Sequence, residues 1–362
     1  MLPLDRRQFL TLSATTLGGF LLHRAGAVEA VATPSAQSFT GASFFLVGDT
    51  HYLASASDPA ELDPVSRGYN ERVIGWLNRL PGSELPATVG GGPLPMPDGV
   101  IHAGDLIDSG DKPGAERAQR TEMEAWEAAF GLAGGDGRLL LPVREVHGNH
   151  DSPSGEGFVI ERLRERTKVR PGLANVSPNG LHYSWDWAGV HFVNLGILVG
   201  RENGAARARR FAPLGSLDFL IADLAGQVGE SGRPIVLTHH VDVARYSLPP
   251  EAPTAGKGEW DAAEVRAYFE ALRPYRIAAI LYGHTHTRRV FPWDGTLPTE
   301  PPASSEGIPV FNTDNAAHFK WEEQAFFHLQ VSASSVIARE FATGDGWQTG
   351  AWTPQVWRFP LQ

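Results

Sequence analysis

The stretch Arg138 to Asp151, RLLLPVREVHGNHD, decides how the rest of the chain is read. A short apolar run from Leu139 to Val146, broken by Pro142 and Arg144, delivers Gly148-Asn149-His150-Asp151. Apolar residues bounded by turn chemistry read as a buried strand. A glycine followed at once by three ligand-type side chains reads as the loop leaving that strand's carboxyl end, the edge where open α/β sheets bind ligands. A polar turn looks the same in isolation, so the question is whether other strands bring matching residues to the same edge.

Other strands do. Ser43 to Val47 is a continuous apolar run ending in Gly48-Asp49-Thr50-His51, and Val100 to Ala103 ends in Gly104-Asp105-Leu106-Ile107-Asp108. Ile235 to Thr238 runs into His239-His240, and Ile277 to Tyr282 into Gly283-His284-Thr285-His286. Hydrophilic side chains have no reason to recur at the same end of successive buried strands unless they meet. Asp, Asn and His are the donors a first-row divalent metal takes from oxygen and nitrogen. The chain has no cysteine, which excludes disulfides, thiolate nucleophiles and thiolate metal sites.

Between the strands, helical spacing predicts helices over Tyr69–Leu80, Ala115–Phe130, Gly157–Lys168, Ser216–Val228 with Ser216 as N-cap, and Asp261–Leu272. Trp187-Ala188-Gly189 sits between two apolar-aromatic runs and predicts a hairpin. Pro81 to Gly99 holds five prolines and five glycines and reads as a surface insertion. The C-terminal third alternates in short β-type runs at Val290-Phe291, Ile308–Phe311, Ala325–Val331 and Val336–Phe341. No linker after residue 41 cuts the chain, so 42–362 is expected to be one domain behind a 31–41 linker.

Residues 1–30 pose a separate question. Asp5-Arg6-Arg7-Gln8-Phe9-Leu10 opens a weakly apolar run, and Ala25-Gly26-Ala27 places small residues at cleavage spacing. The segment resembles a twin-arginine export signal and its apolar run is too short to span a bilayer, which implies a periplasmic or secreted protein exported already folded. With a formal net charge of −10 over 362 residues, no basic face is expected to bind nucleic acid or anionic lipid, and no stable membrane partner is expected. An anionic substrate would need a local positive site, for which a bound metal is the natural source.

Taken in order, Asp49-x-His51, Gly104-Asp105-x-x-Asp108, Gly148-Asn149-His150-Asp151, His239 and Gly283-His284-x-His286 resemble the signature of calcineurin-like metallophosphoesterases. The resemblance implies an α/β, four-layer αββα sandwich of two mixed β-sheets flanked by helices. It also implies two transition-metal ions, Mn, Fe or Zn. By the same resemblance one metal takes Asp49, His51 and His286, the other Asn149, His239 and His284, and Asp105 bridges both. The family pattern favours the first of the tandem histidines. His240 would then point to the strand's other face and is the substitute ligand if His239 is not one.

Such a site hydrolyses a small phosphate ester, a hydroxide shared by the metals attacking phosphorus in line with the leaving group. By resemblance His150 contacts the substrate and protonates the leaving alkoxide; a purely positional contact is its alternative. Asp108 and Asp151 read as carboxylates that accept an N–H from a ligating histidine and fix its orientation. Purple acid phosphatases carry a tyrosine ligand where Asp108 stands, so no iron–tyrosinate colour is expected. A phosphodiesterase is favoured over a phosphomonoesterase. A non-catalytic binding protein on this fold would be expected to have lost ligands. Substrate contacts are expected from Asn149, His150 and Arg207. Arg201, Arg207, Arg209 and Arg210 could grip a second anionic group or form a solvated basic loop. Tyr183, Trp185 and Trp187 line a pocket or fill the hairpin core.

Overall fold

A computed structural model of the chain describes residues 39–203, 209–243, 259–296 and 306–361. The expected export segment 1–30, most of the linker and Arg207 lie outside the described residues.

The strands assemble into two mixed sheets. The first has the order β13-β12-β11-β1-β2-β3, the second β4-β5-β6-β7-β8-β10-β9. In the first, β1 (Ala42–Val47), β2 (Gly99–His102) and β3 (Val143–Glu145) run parallel. Antiparallel β11 (Gln324–Val331), β12 (Ser335–Thr343) and β13 (Ala351–Pro360) extend it from β1. In the second, β6 (Val190–Asn194), β7 (Ile235–Thr238), β8 (Ile277–Tyr282) and β10 (Ile308–Asn312) are parallel. Antiparallel β4 (Leu173–Val176) and β5 (Tyr183–Trp187) flank one side, β9 (Arg289–Trp293) the other.

Side-chain parity sorts three cores. Phe44 and Leu46 of β1 meet Phe192, Val236 and Leu281 between the sheets, while Phe45 and Val47 face the other way. There they pack under α1 (Pro64–Arg79), α2 (Glu116–Phe130) and α3 (Phe158–Val169). Ile235 and Leu237 of β7 and Ile280 and Tyr282 of β8 face α4 (Ser216–Asp223) and α5 (Ala262–Leu272). The result is helices, sheet, sheet, helices. Each fully buried Leu, Ile or Phe contributes roughly 1.5–3 kcal/mol, so the strands that carry the site rest on a rigid base.

Several expectations are corrected. Helix α1 starts at Pro64, five residues ahead of Tyr69 by numbering, because Asp63 caps it: its carboxylate accepts from Val65 N (2.9 Å) and Ser66 N (3.0 Å). Gly215, not Ser216, is the N-cap of α4. The Ser216 hydroxyl instead donates to Leu198 O (2.9 Å) and accepts from Gly200 N (3.1 Å), and a π turn over Leu224–Val228 closes the helix. The 81–99 segment is not merely a surface insertion, since Leu85, Val89 and Leu94 enter the core under α1. Strand β13 was not expected. Its Pro354 and largely exposed residues hide the alternation that marks a strand, as befits an edge position.

Candidate metal centre

Every motif loop leaves the carboxyl end of a parallel strand, and the backbone there is bent hard. Asp49 (φ 56°), His51 (φ 42°), Asp105 (φ 52°), His284 (φ 74°) and His286 (φ 52°) all lie in the left-handed region. Non-glycine residues rarely sit there, and such strain persists at sites that surrounding structure holds in place. Two glycines supply room. A Cβ on Gly148 would collide with the Asp105 carboxylate, and one on Gly283 with that of Asp49.

The side chains converge in two groups that share Asp105. Asp49, His51, Asp105 and His286 form one; Asp105, His240 and His284 form the other. His286 Nε2 lies 3.2 Å from Asp49 Oδ1 and 3.2 Å from His51 Nε2. Asp105 Oδ2 is 3.6 Å from His51 Nε2 and 3.2 Å from His240 Nε2, the position of a bridge. His240 Nε2 also lies 3.2 Å from both Asn149 Oδ1 and His284 Nδ1.

Hydrogen bonds on the far ring nitrogens fix what those atoms are. His51 Nδ1–H donates to Asp108 Oδ1 (3.2 Å), His240 Nδ1–H to Ala103 O (2.7 Å), and His284 Nε2–H to Glu259 Oε2 (3.1 Å). In the neutral form of each ring the inward nitrogen is therefore a lone pair. Lone pairs and carboxylate oxygens that face one another have no proton to share. They are matched by a cation, and donors bonded to one ion at about 2.1 Å lie roughly 3.0–3.4 Å apart. The donor set fits two metals.

The electrostatics agree. Burial alone would push His240 down, but Asp105 and then Asp49 raise it to about 9. His286 is likewise raised: burial opposes, and Asp49 wins. Burial would raise Asp105, yet His240 and His51 hold it well below the usual carboxylate range. The pocket thus calls for positive charge between His240 Nε2 and Asp105, either a proton on the ring or a metal ion in its place.

The placement of the expected residues is mixed. Asp49, His51, Asp105, Asn149, His284 and His286 come together. His239 does not. Its Nδ1–H donates to Val241 O (2.8 Å), and its ring lies among Trp260, Tyr268 and Tyr282. His240 takes the place expected of it. Asp108 accepts from His51 Nδ1–H; burial would raise it, but His51 and Lys112 (2.5 Å) bring it to about 2. Asp151 meets no histidine. It accepts backbone N–H groups from Gly148 (2.8 Å), Leu106 (3.0 Å) and Ile107 (3.1 Å), lacing two motif loops together, while burial and then Asp105 push it up to about 7. His150 stands at the mouth, its side chain 33% exposed and its ring 4.8 Å from His51. Its Nδ1–H donates to Asp108 O (3.3 Å).

Among the described residues of the basic loop, each arginine is paired with an acid. Arg201 pairs with Asp218 (3.0 Å), Arg209 with Glu264 and Arg210 with Glu259 (2.9 Å). Arg209, Arg210 and Phe211 line a cavity of ≈ 380 Å³, and the Phe211 ring is 6.0 Å from that of His284. Tyr183 and Trp185 are buried between the sheets, with Trp187 packed against them. Glu259 was missed because a lone acid ahead of a helix cap carries no ligand spacing. His318, 4.4 Å from His51 between ring centres, was missed because it belongs to no strand-end motif.

The chain is similar to several known proteins. A purple acid phosphatase, number 23 of Arabidopsis thaliana, is 38% identical over 64 residues, which are 17% of this chain and 14% of that protein. Among solved structures, PhoD aligns with a TM-score of 0.51 at 11% identity, covering 89% of this chain and 70% of that one. A dimetal phosphatase from Danio rerio aligns with a TM-score of 0.46 at 14% identity, covering 86% and 98%. The family model for calcineurin-like phosphoesterases matches residues 42–288, from β1 through the last histidine of the cluster. The chain belongs to the calcineurin-like phosphoesterase family.

Proposed function

We propose that the protein is an exported phosphodiesterase, with a phosphomonoesterase on the same site as the second reading. The observation that carries the catalytic part is the inward set of lone pairs on His51, His240 and His284 around Asp105, with His150 standing at its mouth. Asp49, His51, Asp105 and His286 would hold one ion, and Asp105, Asn149, His240 and His284 the other. Two such ions supply charge stabilisation of phosphate oxygens and a water of lowered pKa.

The chain's own groups do the rest. His150 Nδ1–H is spent on Asp108 O, so only the imidazolium carries a proton on Nε2. Transferring that proton to the departing ester oxygen releases the alcohol and leaves the neutral tautomer that the Asp108 carbonyl already holds. Water supplies the oxygen that phosphorus gains. Asp108 and Glu259 keep His51 and His284 aimed, which limits reorganisation as charge develops.

Preference for a diester rests on charge. Arg201, Arg209 and Arg210 are each paired with an acid, which suits a phosphate bearing one negative charge better than two. Turnover of bis(4-nitrophenyl) phosphate is expected to exceed that of 4-nitrophenyl phosphate in Mn, Zn or Fe, and the reverse order ends the preference. Export rests on Arg6-Arg7: replacing both with Lys should keep the protein in the cytoplasm.

A further inference from the structure

One wall of the site comes from residues 314–323, the turn between β10 and β11, beyond the span of the family model. The turn is pinned tightly. Thr313 N donates to Tyr282 O (2.9 Å) and Ala316 N to Gly48 O (2.9 Å), tying it to the exits of β8 and β1. Trp347 Nε1 donates to Ala316 O (2.6 Å), and the Gln324 amide to His318 O (3.1 Å) and Trp321 O (2.9 Å). This framework seats His318, 4% exposed, with its ring centre 4.4 Å from His51 and 4.9 Å from His286. Trp321 follows with its ring 4.4 Å from His318 and 5.3 Å from His286, yet 45% exposed. An indole left open beside metal-ligand residues, on a turn held this rigidly, is a prepared surface.

His318 differs from the other histidines in its tautomer. Lys320 N–H donates to its Nδ1 (3.1 Å), so the ring proton sits on Nε2. Coordinating a metal through Nε2 would move that proton to Nδ1, donor against donor. His318 is therefore built to give a hydrogen bond rather than to ligate. Nε2 has no hydrogen-bond partner among the described residues.

We propose that residues 314–323 form the ester-side subsite: His318 donates Nε2–H to a phosphate oxygen, and Trp321 stacks on a flat aromatic group esterified to that phosphate. The subsite rests on the phosphoesterase reading, and it names the substrate class as aryl or heterocyclic phosphate esters. A ring lying on an exposed indole gains stacking that a methyl group does not.

The test is calorimetric titration of the manganese-loaded full chain with inorganic phosphate, methylphosphonate and phenylphosphonate. The wild type should bind phenylphosphonate about 10-fold tighter than methylphosphonate. Trp321→Ala should erase that difference and leave phosphate affinity within about twofold. His318→Ala should weaken all three by about 10-fold with manganese content unchanged, and His318→Gln, which restores an N–H donor, should recover part of the loss. No phenyl preference in the wild type, equal losses for both phosphonates in Trp321→Ala, or loss of manganese in His318→Ala each overturn the proposal. Failure of the wild type to hydrolyse any phosphate ester would sink the phosphoesterase reading alone, because the phosphonate titrations decide the subsite without turnover.

Discussion

Strand β3 carries two buried charge clusters a few residues apart, and they are built on opposite principles. At Glu145, still within the strand, opposite charges meet: one carboxylate oxygen takes both Arg166 Nε (2.8 Å) and Arg170 Nη2. Burial would raise Glu145, but those two guanidiniums bring it to about 2. Past the strand's end, at Asn149, the polar atoms face their own kind, lone pair to lone pair and lone pair to carboxylate. Burial and charged residues do not tell the two apart. Complementarity does: a cluster whose charges answer one another is structural, and one that needs a cation to answer it is a site.

The sharpest way to break this contrast is to alter one residue in each cluster. Asp105→Asn removes half the bridge's charge-bearing pair of oxygens, so metal content should fall below two equivalents and turnover by about 10³-fold or more, with the fold retained. Metal analysis and kinetics check it; two retained equivalents would show that the open cluster does not depend on its shared acid. Glu145→Gln should do the converse, costing about 3–5 kcal/mol in urea unfolding while metals and turnover per folded molecule persist.

The same pair sets an acid limit. Glu145 has a folded pKa of about 2 against an ordinary 4.5, so its contribution is complete above 4.5 and is lost as pH falls towards 2. Wild type and Glu145→Gln should therefore differ in stability at neutral pH and converge near pH 2. A constant gap across that range would remove the ion cluster as the cause.

Smaller effects are expected from residues that only aim a ligand. Glu259→Gln leaves His284 a weaker acceptor and should reduce metal affinity about 10- to 100-fold without abolishing turnover at saturating metal. Competition against a chromogenic chelator reads this directly. An unchanged affinity would mean that Glu259 serves Arg210 instead.

What was legible in the sequence follows the same physics. Gly148, Asn149, His150, Asp105 and the His284-x-His286 pair announce themselves because each ligand sits immediately after an apolar strand, a local pattern. Glu259, His318 and Trp321 reach the site from segments with no such pattern, brought there by the capping of α5 and the pinning of the 314–323 turn. Asp151 was visible but misassigned, because the sequence cannot say whether a buried carboxylate meets imidazoles or backbone N–H groups. Strand β7 gave no face at all: Ile235-Val236-Leu237-Thr238 is apolar on both sides, as parallel strands covered on both faces are.

That silence explains the tandem histidines, where the expected effect is smallest and the contrast finest. Val236 points between the sheets while Ile235 and Leu237 point to the helices. Continuing the alternation sends His239 towards α5 and His240 towards the seam where Asp105 waits. His239→Leu should therefore keep both metals and turnover within about threefold, at a cost of about 1–3 kcal/mol for leaving Val241 O without its donor. Leucine packing against Trp260 and Tyr268 offsets part of that cost. His240→Leu should instead lose the second ion. If His239→Leu lost the metal and His240→Leu kept it, the parity of β7 would be reversed and with it the seat of the second ion.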